Sequence, residues 1–253
     1  FSIFNISTMN AKLFTRNVWA IALLALSWFC TSCETTYTHL SHYVARYNLD
    51  LSALTIQPEN QFLYIRDTGV EGIWADTNND EERKQFLKLS EKNGDIGYNR
   101  EIEFNSQESL WHDKHQYLAE QIVAVDIKAS NDWNGKMESG ASLNHLFYIY
   151  SLSPDKYLQN KFKLDFEKEN TFSTKIPEIA ALNKQRIVEY QHTALPFGGL
   201  VSEVNLRNYR LIGCNERTYF ALFPINTPPS GAGLRVTLTF ESGAQHVMEY
   251  TYP

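Results

Sequence analysis

Several groups of residues have the types and spacing that chemistry requires. Ser153-Pro154-Asp155-Lys156 places a lysine one helical turn after a serine, the spacing at which an amine activates a hydroxyl nucleophile. The companions of that chemistry are missing: there is no Lys-Thr-Gly strand, and Ser130-Asn131-Asp132 has the wrong order. A serine cap with proline at the first helical position explains the same letters. His39-x-x-His42 and His112-x-x-His115 would each set two imidazoles on one helical face, with Asp113 beside the second pair. Zinc needs three or four ligands, so the histidines read as exposed and uncoupled, and no metal is expected. Asp76-x-Asn78-x-Asp80 copies the first three ligand positions of a calcium loop. Glu81 then stands where the loop needs glycine, and Leu87 where it needs glutamate, so a helix start with acidic first-turn residues is the better reading. Glu101/Glu103 and Asp165/Glu167/Glu169 read as neighbours on one strand face, which does not supply the opposed carboxylates of a glycosidase. No catalytic residue and no cofactor is assigned from these patterns.

Aromatic residues carry a different chemistry. Residues 33–253 hold Trp74, Trp111, Trp133 and all fourteen tyrosines. Exposed tyrosine and tryptophan make flat contacts with sugars or proteins, and in a sheet protein they are equally core and rim residues. Trp133 lies in the turn-like run Asn131-Asp132-Trp133-Asn134-Gly135 and is the tryptophan expected at the surface, hence the candidate recognition residue.

Delivery is written more sharply than chemistry. From Met9, two positive charges (Lys12, Arg16) precede an uncharged run from Val18 to Phe29 and then Thr31-Ser32-Cys33. A basic n-region, an apolar stretch of roughly 7–15 residues and small residues at the cut make a secretory signal; a membrane-spanning helix needs roughly 20 apolar residues. Two small residues directly before a cysteine resemble the lipobox of bacterial lipoproteins. The resemblance implies a diacylglycerol on the Cys33 thiol, cleavage just before it and acylation of the new amino terminus. Cys30 stands three positions earlier, where Leu, Val or Ile is more usual; the looser Bacteroidetes-type lipobox tolerates it. The domain reading is therefore residues 1–8 as an upstream extension, 9–32 as a lipoprotein signal peptide, 33–42 as a tether and 43–253 as a single β-sandwich domain. Two or more acyl chains hold firmly, at about 0.8 kcal/mol per buried methylene. The implied address is the outer membrane, with the face undecided.

Charge and cysteines then narrow the partners. The whole chain has net charge −6, and removing Lys12 and Arg16 takes it to −8. Nucleic-acid binding needs a basic patch, and the densest lysine cluster, from Lys156 to Lys168, is interleaved with Asp155, Asp165 and Glu167. Nucleic acid is excluded as a partner. With Cys33 acylated, Cys214 has no partner for a disulfide; between Leu211-Ile212 and Tyr219-Phe220 it reads as a buried small hydrophobe.

The framework for these groups is short strands joined by turns. Ile122 to Ser130 alternates, with Val123, Val125, Ile127 and Ala129 on one face. Leu234, Val236, Leu238 and Phe240 do the same, and Ser242-Gly243 turns the chain back for a hairpin through Val247 to Tyr252. Tyr219 to Phe223, Phe62 to Ile65 and the alternating stretch Tyr43 to Ile56 are further strands. The clearest helix is Asp76 to Lys92, with Asp80 as cap and Asn93-Gly94 as stop; a short one is expected from Pro177 through Leu182, and Ser142 caps a helical turn. Leu195-Pro196-Phe197-Gly198-Gly199 reads as a loop. The fold class expected is mainly β, an immunoglobulin-like β-sandwich with one or two short peripheral helices.

The strand Ile122 to Ser130, its turn, the segment Gly140-Ala141-Ser142-Leu143-Asn144-His145-Leu146-Phe147 and the C-terminal hairpin resemble a family of Bacteroidetes lipoproteins without an assigned activity. The resemblance covers about half of residues 33–253 and implies a single-domain β-sandwich lipoprotein. The resulting expectation is a cell-envelope lipoprotein that binds or scaffolds without catalysis, its partners the membrane through the lipid and a glycan or envelope protein. The alternatives are a glycan-processing hydrolase and a structural subunit of a surface fibre.

Overall fold

Where apolar residues run without interruption, both faces of a sheet must be covered. Where they alternate, one face meets water. Both kinds of strand occur in the computed structural model, which describes residues 37–103, 115–133, 135, 137–190, 192–213 and 217–253. Cys33, the segments 1–8 and 9–32, Trp111, His112 and Cys214 lie outside the described residues. The chain divides into two units, 1–37 and 38–253, and from Thr38 onward the described elements belong to the second.

The protein is mainly β. A five-stranded antiparallel sheet has the order β10 (Leu195–Leu200), β9 (Phe147–Ser153), β11 (Thr218–Pro224), β4 (Phe62–Asp67), β3 (Leu54–Glu59). Facing it, β13 (Gln245–Thr251), β12 (Gly233–Phe240) and β8 (Ile122–Ala129) form a three-stranded antiparallel sheet. One core joins the two: Leu63, Ile65, Phe147 and Leu222 from the first meet Ile127, Leu234, Val236 and Leu238 from the second. Burying each such side chain stabilises the fold by roughly 1.5–3 kcal/mol. The sandwich expected from the sequence is thus the architecture observed.

The period of two on β4, β9 and β11 sends alternate residues to the far face of the larger sheet. There Phe62, Tyr64, Tyr150, Ala221 and Phe223 are covered by Ile179 and Leu182. These two belong to a 13-residue helix, Pro177–Glu189, longer than the stub expected from Pro177. Helices exceed the expected one or two: among the described residues there are α1 (Asp80–Asn93), α2 (Asp155–Gln159), α3 (Phe166–Glu169) and α4 (Pro177–Glu189). The cap of α1 is Asn79, one residue before the expected Asp80; its Oδ1 accepts Glu81 N at 3.0 Å and Glu82 N at 3.2 Å. Gly94 stops α1 in the left-handed conformation, φ 70°.

Leu195 to Gly199, expected as a loop, is part of strand β10. It is an edge strand, where Pro196 needs no ladder partner for its missing N–H. A Cβ on Gly198 would lie 2.7 Å from Ile149 O and 2.8 Å from the Tyr148 ring, so glycine is required by close approach. Asp165 to Glu169, expected as strand neighbours, instead form the single turn α3, capped by Asp165. Part of the expected tether is also ordered: β1 (Tyr37–Leu40) pairs with β6 (Arg100–Glu103).

A smaller sheet, β5 (Gly72–Trp74), β2 (Arg46–Asn48), β7 (Gln116–Leu118), packs under α1. Its core is rich in tyrosine: Tyr43, Tyr47, Tyr117, Tyr157 and Tyr190 surround Phe86 of α1 and Ile73.

Candidate functional site

The residues singled out by spacing are put to structural use. Ser153 Oγ donates to Asp155 Oδ2 at 2.7 Å and accepts Asp155 N at 3.3 Å, at the start of α2. Lys156 Nζ turns away to Glu169 Oε2, 2.7 Å. The serine and lysine are therefore not coupled. His39 and His42 do not share a helical face, because β1 and the bend after it run extended. His42 packs edge-on to Phe86, with Nδ1 3.0 Å from Asp95 O. His115 is buried between the rings of Tyr43 and Tyr190. Among the described residues no three His, Cys, Asp or Glu side chains gather as a metal site.

Trp133 is not at the surface. It is 5% exposed, with its ring edge-on to Phe147 at 6.0 Å and Tyr252 at 5.9 Å. The turn reverses the chain with Trp133 N donating to Met137 O at 2.9 Å, and the apolar ring gains more by entering the sandwich core than by meeting water. Turn composition located the loop but not the side of it on which the ring lies. The segment Gly140 to Phe147 is structural too. Gly140 N and Leu143 N donate to Ala129 O and Ile127 O, both at 2.8 Å, and Asn144 Oδ1 accepts Ile127 N at 2.7 Å. It covers the free edge of β8, the need that open sheet edges impose.

Two polar clusters are buried near the small sheet. Asp95, fully buried, accepts Tyr43 N at 2.7 Å and Val44 N at 3.1 Å. Burial raises its pKa to about 7, against the lowering pull of those two bonds and of Arg210. Arg46, also fully buried, donates from Nη2 to Val70 O at 2.8 Å and stands over the Trp74 ring. Nearby, Asn48 Nδ2 donates to Tyr219 Oη at 2.7 Å, and burial pushes the Tyr219 hydroxyl well up. Both clusters tie distant segments of the chain together through buried hydrogen bonds.

Among the described residues, one depression of about 630 Å³ along Gln159 to Asp165 is a nearly flat surface; two others are enclosed enough to hold a ligand. The first is a cleft of about 420 Å³ at the start of α2, with Ser153, Asp155, Lys156, Glu169 and Tyr209 on its walls. Its two carboxylates are engaged: Asp155 Oδ2 accepts Ser153 Oγ and Arg210 N, both at 2.7 Å, and Glu169 holds Lys156. Its aromatic pair, Phe197 and Tyr209, is stacked on itself at 3.9 Å.

The second is a groove of about 660 Å³, within the size range of ligand pockets. Four pieces of chain build it: the β3–β4 turn, the start of α4, the exit of β11 through Pro228, and the end of β13. Phe62, Phe223, Tyr250 and Tyr252 supply aromatic surface. Asn60, Gln61, Asn226 and Thr227 supply exposed amides and a hydroxyl. Pro58, Pro177, Pro224 and Pro228 stiffen the walls. Among the described residues the charged lining side chains are Lys175 and Glu178, of opposite sign. None of these groove residues stands out in the linear sequence, because they come from turns and strand ends far apart in the chain.

Comparison of the chain with protein-family models, with curated proteins and with solved structures gives no match.

Proposed function

We propose that this protein is a lipid-anchored module of the bacterial cell envelope, held at the outer membrane by acylated Cys33, whose sandwich body binds a partner without transforming it. The anchor rests on the basic, apolar and small-residue pattern from Lys12 to Cys33. Among the described residues no helix is long and apolar enough to cross a membrane.

The observation that carries binding is the groove. Aromatic rings, stiff proline walls and uncommitted amides meet there, and among the described residues Glu178 is the one side-chain carboxylate lining it. Glycoside hydrolysis needs two carboxylates. Rigid surfaces hold partners with less loss of freedom on binding.

Two experiments test the reading. Radioactive palmitate should label the wild type and not Cys33→Ala, and the label should fractionate with the outer membrane. An unlabelled wild-type chain in the cytosol would overturn the anchor. A photo-crosslinking residue at Thr227 should yield an envelope adduct in cells, while the same residue at exposed Ser242, in the β12–β13 turn, should not. Equal adducts, or none, would overturn the groove as contact surface.

A further inference from the structure

Resting on the reading of the body as a binding module, the chemistry of the groove walls points to an occupant. We propose that it takes an uncharged glycan chain.

Charge is the first argument. Among the described lining side chains the charged ones are Lys175 and Glu178, of opposite sign, so together they offer no net charge to an ionic ligand, and the chain as a whole is negative at −6. An acidic polysaccharide would meet repulsion at long range and nothing to neutralise it locally.

Hydrogen bonding is the second. The side chains of Asn60, Gln61, Asn226 and Thr227 line the groove and make no hydrogen bond within the described protein. A primary amide offers two donors and a carbonyl oxygen that accepts twice, and a threonine hydroxyl does both. Sugar hydroxyls also donate and accept, so neighbouring hydroxyls on one ring match one amide. In the polar cleft near α2, by contrast, the carboxylates are already spent on Ser153, Arg210 and Lys156.

Apolar surface is the third. Tyr250 and Tyr252 are half-buried, their rings 4.9 Å apart and nearly perpendicular, which leaves ring surface on the groove for the C–H face of a sugar. Asn60 holds a left-handed backbone, φ 54°, in a tight turn, and prolines flank Asn226 and Thr227 on both sides. The polar readers therefore sit on backbone that is already ordered. An extended proline-rich peptide would also find aromatic surface here, but it offers few groups to four free polar side chains.

Calorimetry of the full chain in detergent micelles decides the matter. The neutral probes are chitohexaose, cellohexaose and mannohexaose; the contrary probes are hexagalacturonate and a decaproline peptide. At least one neutral hexasaccharide should bind, and the double variant Asn60→Gly/Asn226→Ala should weaken it about tenfold or more, the loss of two or so hydrogen bonds. Glycine at residue 60 keeps the left-handed backbone free of strain. Preference for hexagalacturonate or decaproline, silence toward all neutral sugars, or neutral binding unchanged in the double variant would each overturn the proposal. A crosslink from Thr227 alongside silent calorimetry would remove the neutral glycan and leave the binding reading. No crosslink from Thr227 would remove the binding reading.

Discussion

Between the two facing sheets the core is enclosed and mostly hydrocarbon: Leu234, Val236 and Leu238 on β12 close over Ile65, Ile149 and Leu222, with the rings of Trp133, Phe147, Phe220 and Phe240 among them. Beneath α1 the core is built from tyrosines, each bringing a hydroxyl that must be satisfied. Some are: Tyr43 Oη is 2.8 Å from Thr193 Oγ1, and Tyr190 Oη donates to Ile212 O at 2.9 Å. Among the described residues Tyr117 Oη is buried without a partner. Asp95 adds a titratable group with no exposure. The contrast teaches where robustness lies. Dispersion and burial in the sandwich do not depend on pH. The tyrosine lobe depends on polar satisfaction and on one proton. The groove is assembled mostly on the sandwich, from β3, β4, β11 and β13, so the proposed contact surface stands on the part that conditions perturb least.

The largest expected effect is on the sandwich side. Trp133→Ala should lower unfolding stability by about 3–5 kcal/mol, as for large aromatic deletions in cores. Urea unfolding would read it, and a change under 1 kcal/mol would return Trp133 to the surface.

Next comes the lobe. Asp95 holds its proton up to about pH 7 in the folded chain, whereas in the unfolded chain it ionises near 4. The stability it contributes is full below pH 4 and is lost as pH rises through 7, a difference of up to roughly 4 kcal/mol. Urea midpoints should therefore fall between pH 5 and pH 8, and Asp95→Asn should flatten most of the slope. Asp67, raised by burial, leaves a residue of the same sign. An unchanged slope in Asp95→Asn would contradict the account.

Tyr117→Phe removes a hydroxyl that has no partner among the described residues, so it should be neutral or stabilise by on the order of 1 kcal/mol in urea unfolding. Tyr219→Phe, which strips Asn48 of its 2.7 Å acceptor, should cost about 1–2 kcal/mol. If both lose stability equally, the lobe contains a partner for Tyr117 in solution. Smallest is Arg235→Ala, which breaks the exposed pair with Glu249 at 2.9 Å on the outer sandwich face and should shift stability by less than about 0.5 kcal/mol.

The same contrast explains what was legible in the sequence. β8 and β12 announce themselves, since a sheet with one wet face must alternate, and Val236 and Leu238 sit where the pattern places them. β9 does not alternate: Phe-Tyr-Ile-Tyr-Ser-Leu-Ser is covered on both faces, so the period is lost and only its aromatic and β-branched content marks it as a strand. β10 was hidden by Pro196 and two glycines, which an edge position tolerates. In the lobe, all three strands of the small sheet are three residues long, too short for a period to show. The groove was illegible for a different reason. Spacing rules find residues that share one helix or strand, whereas Asn60, Glu178, Asn226 and Tyr250 meet only because a turn, a helix start and two strand ends converge.

The most direct test of the groove as contact surface is hydrogen exchange on the full chain with and without the best-binding neutral hexasaccharide. The account predicts slowed exchange confined to residues 58–63, 175–178, 224–228 and 250–252. Protection at residues 153–171 and 208–209 instead, around Ser153 and Lys156, would move the site to the polar cleft and contradict it.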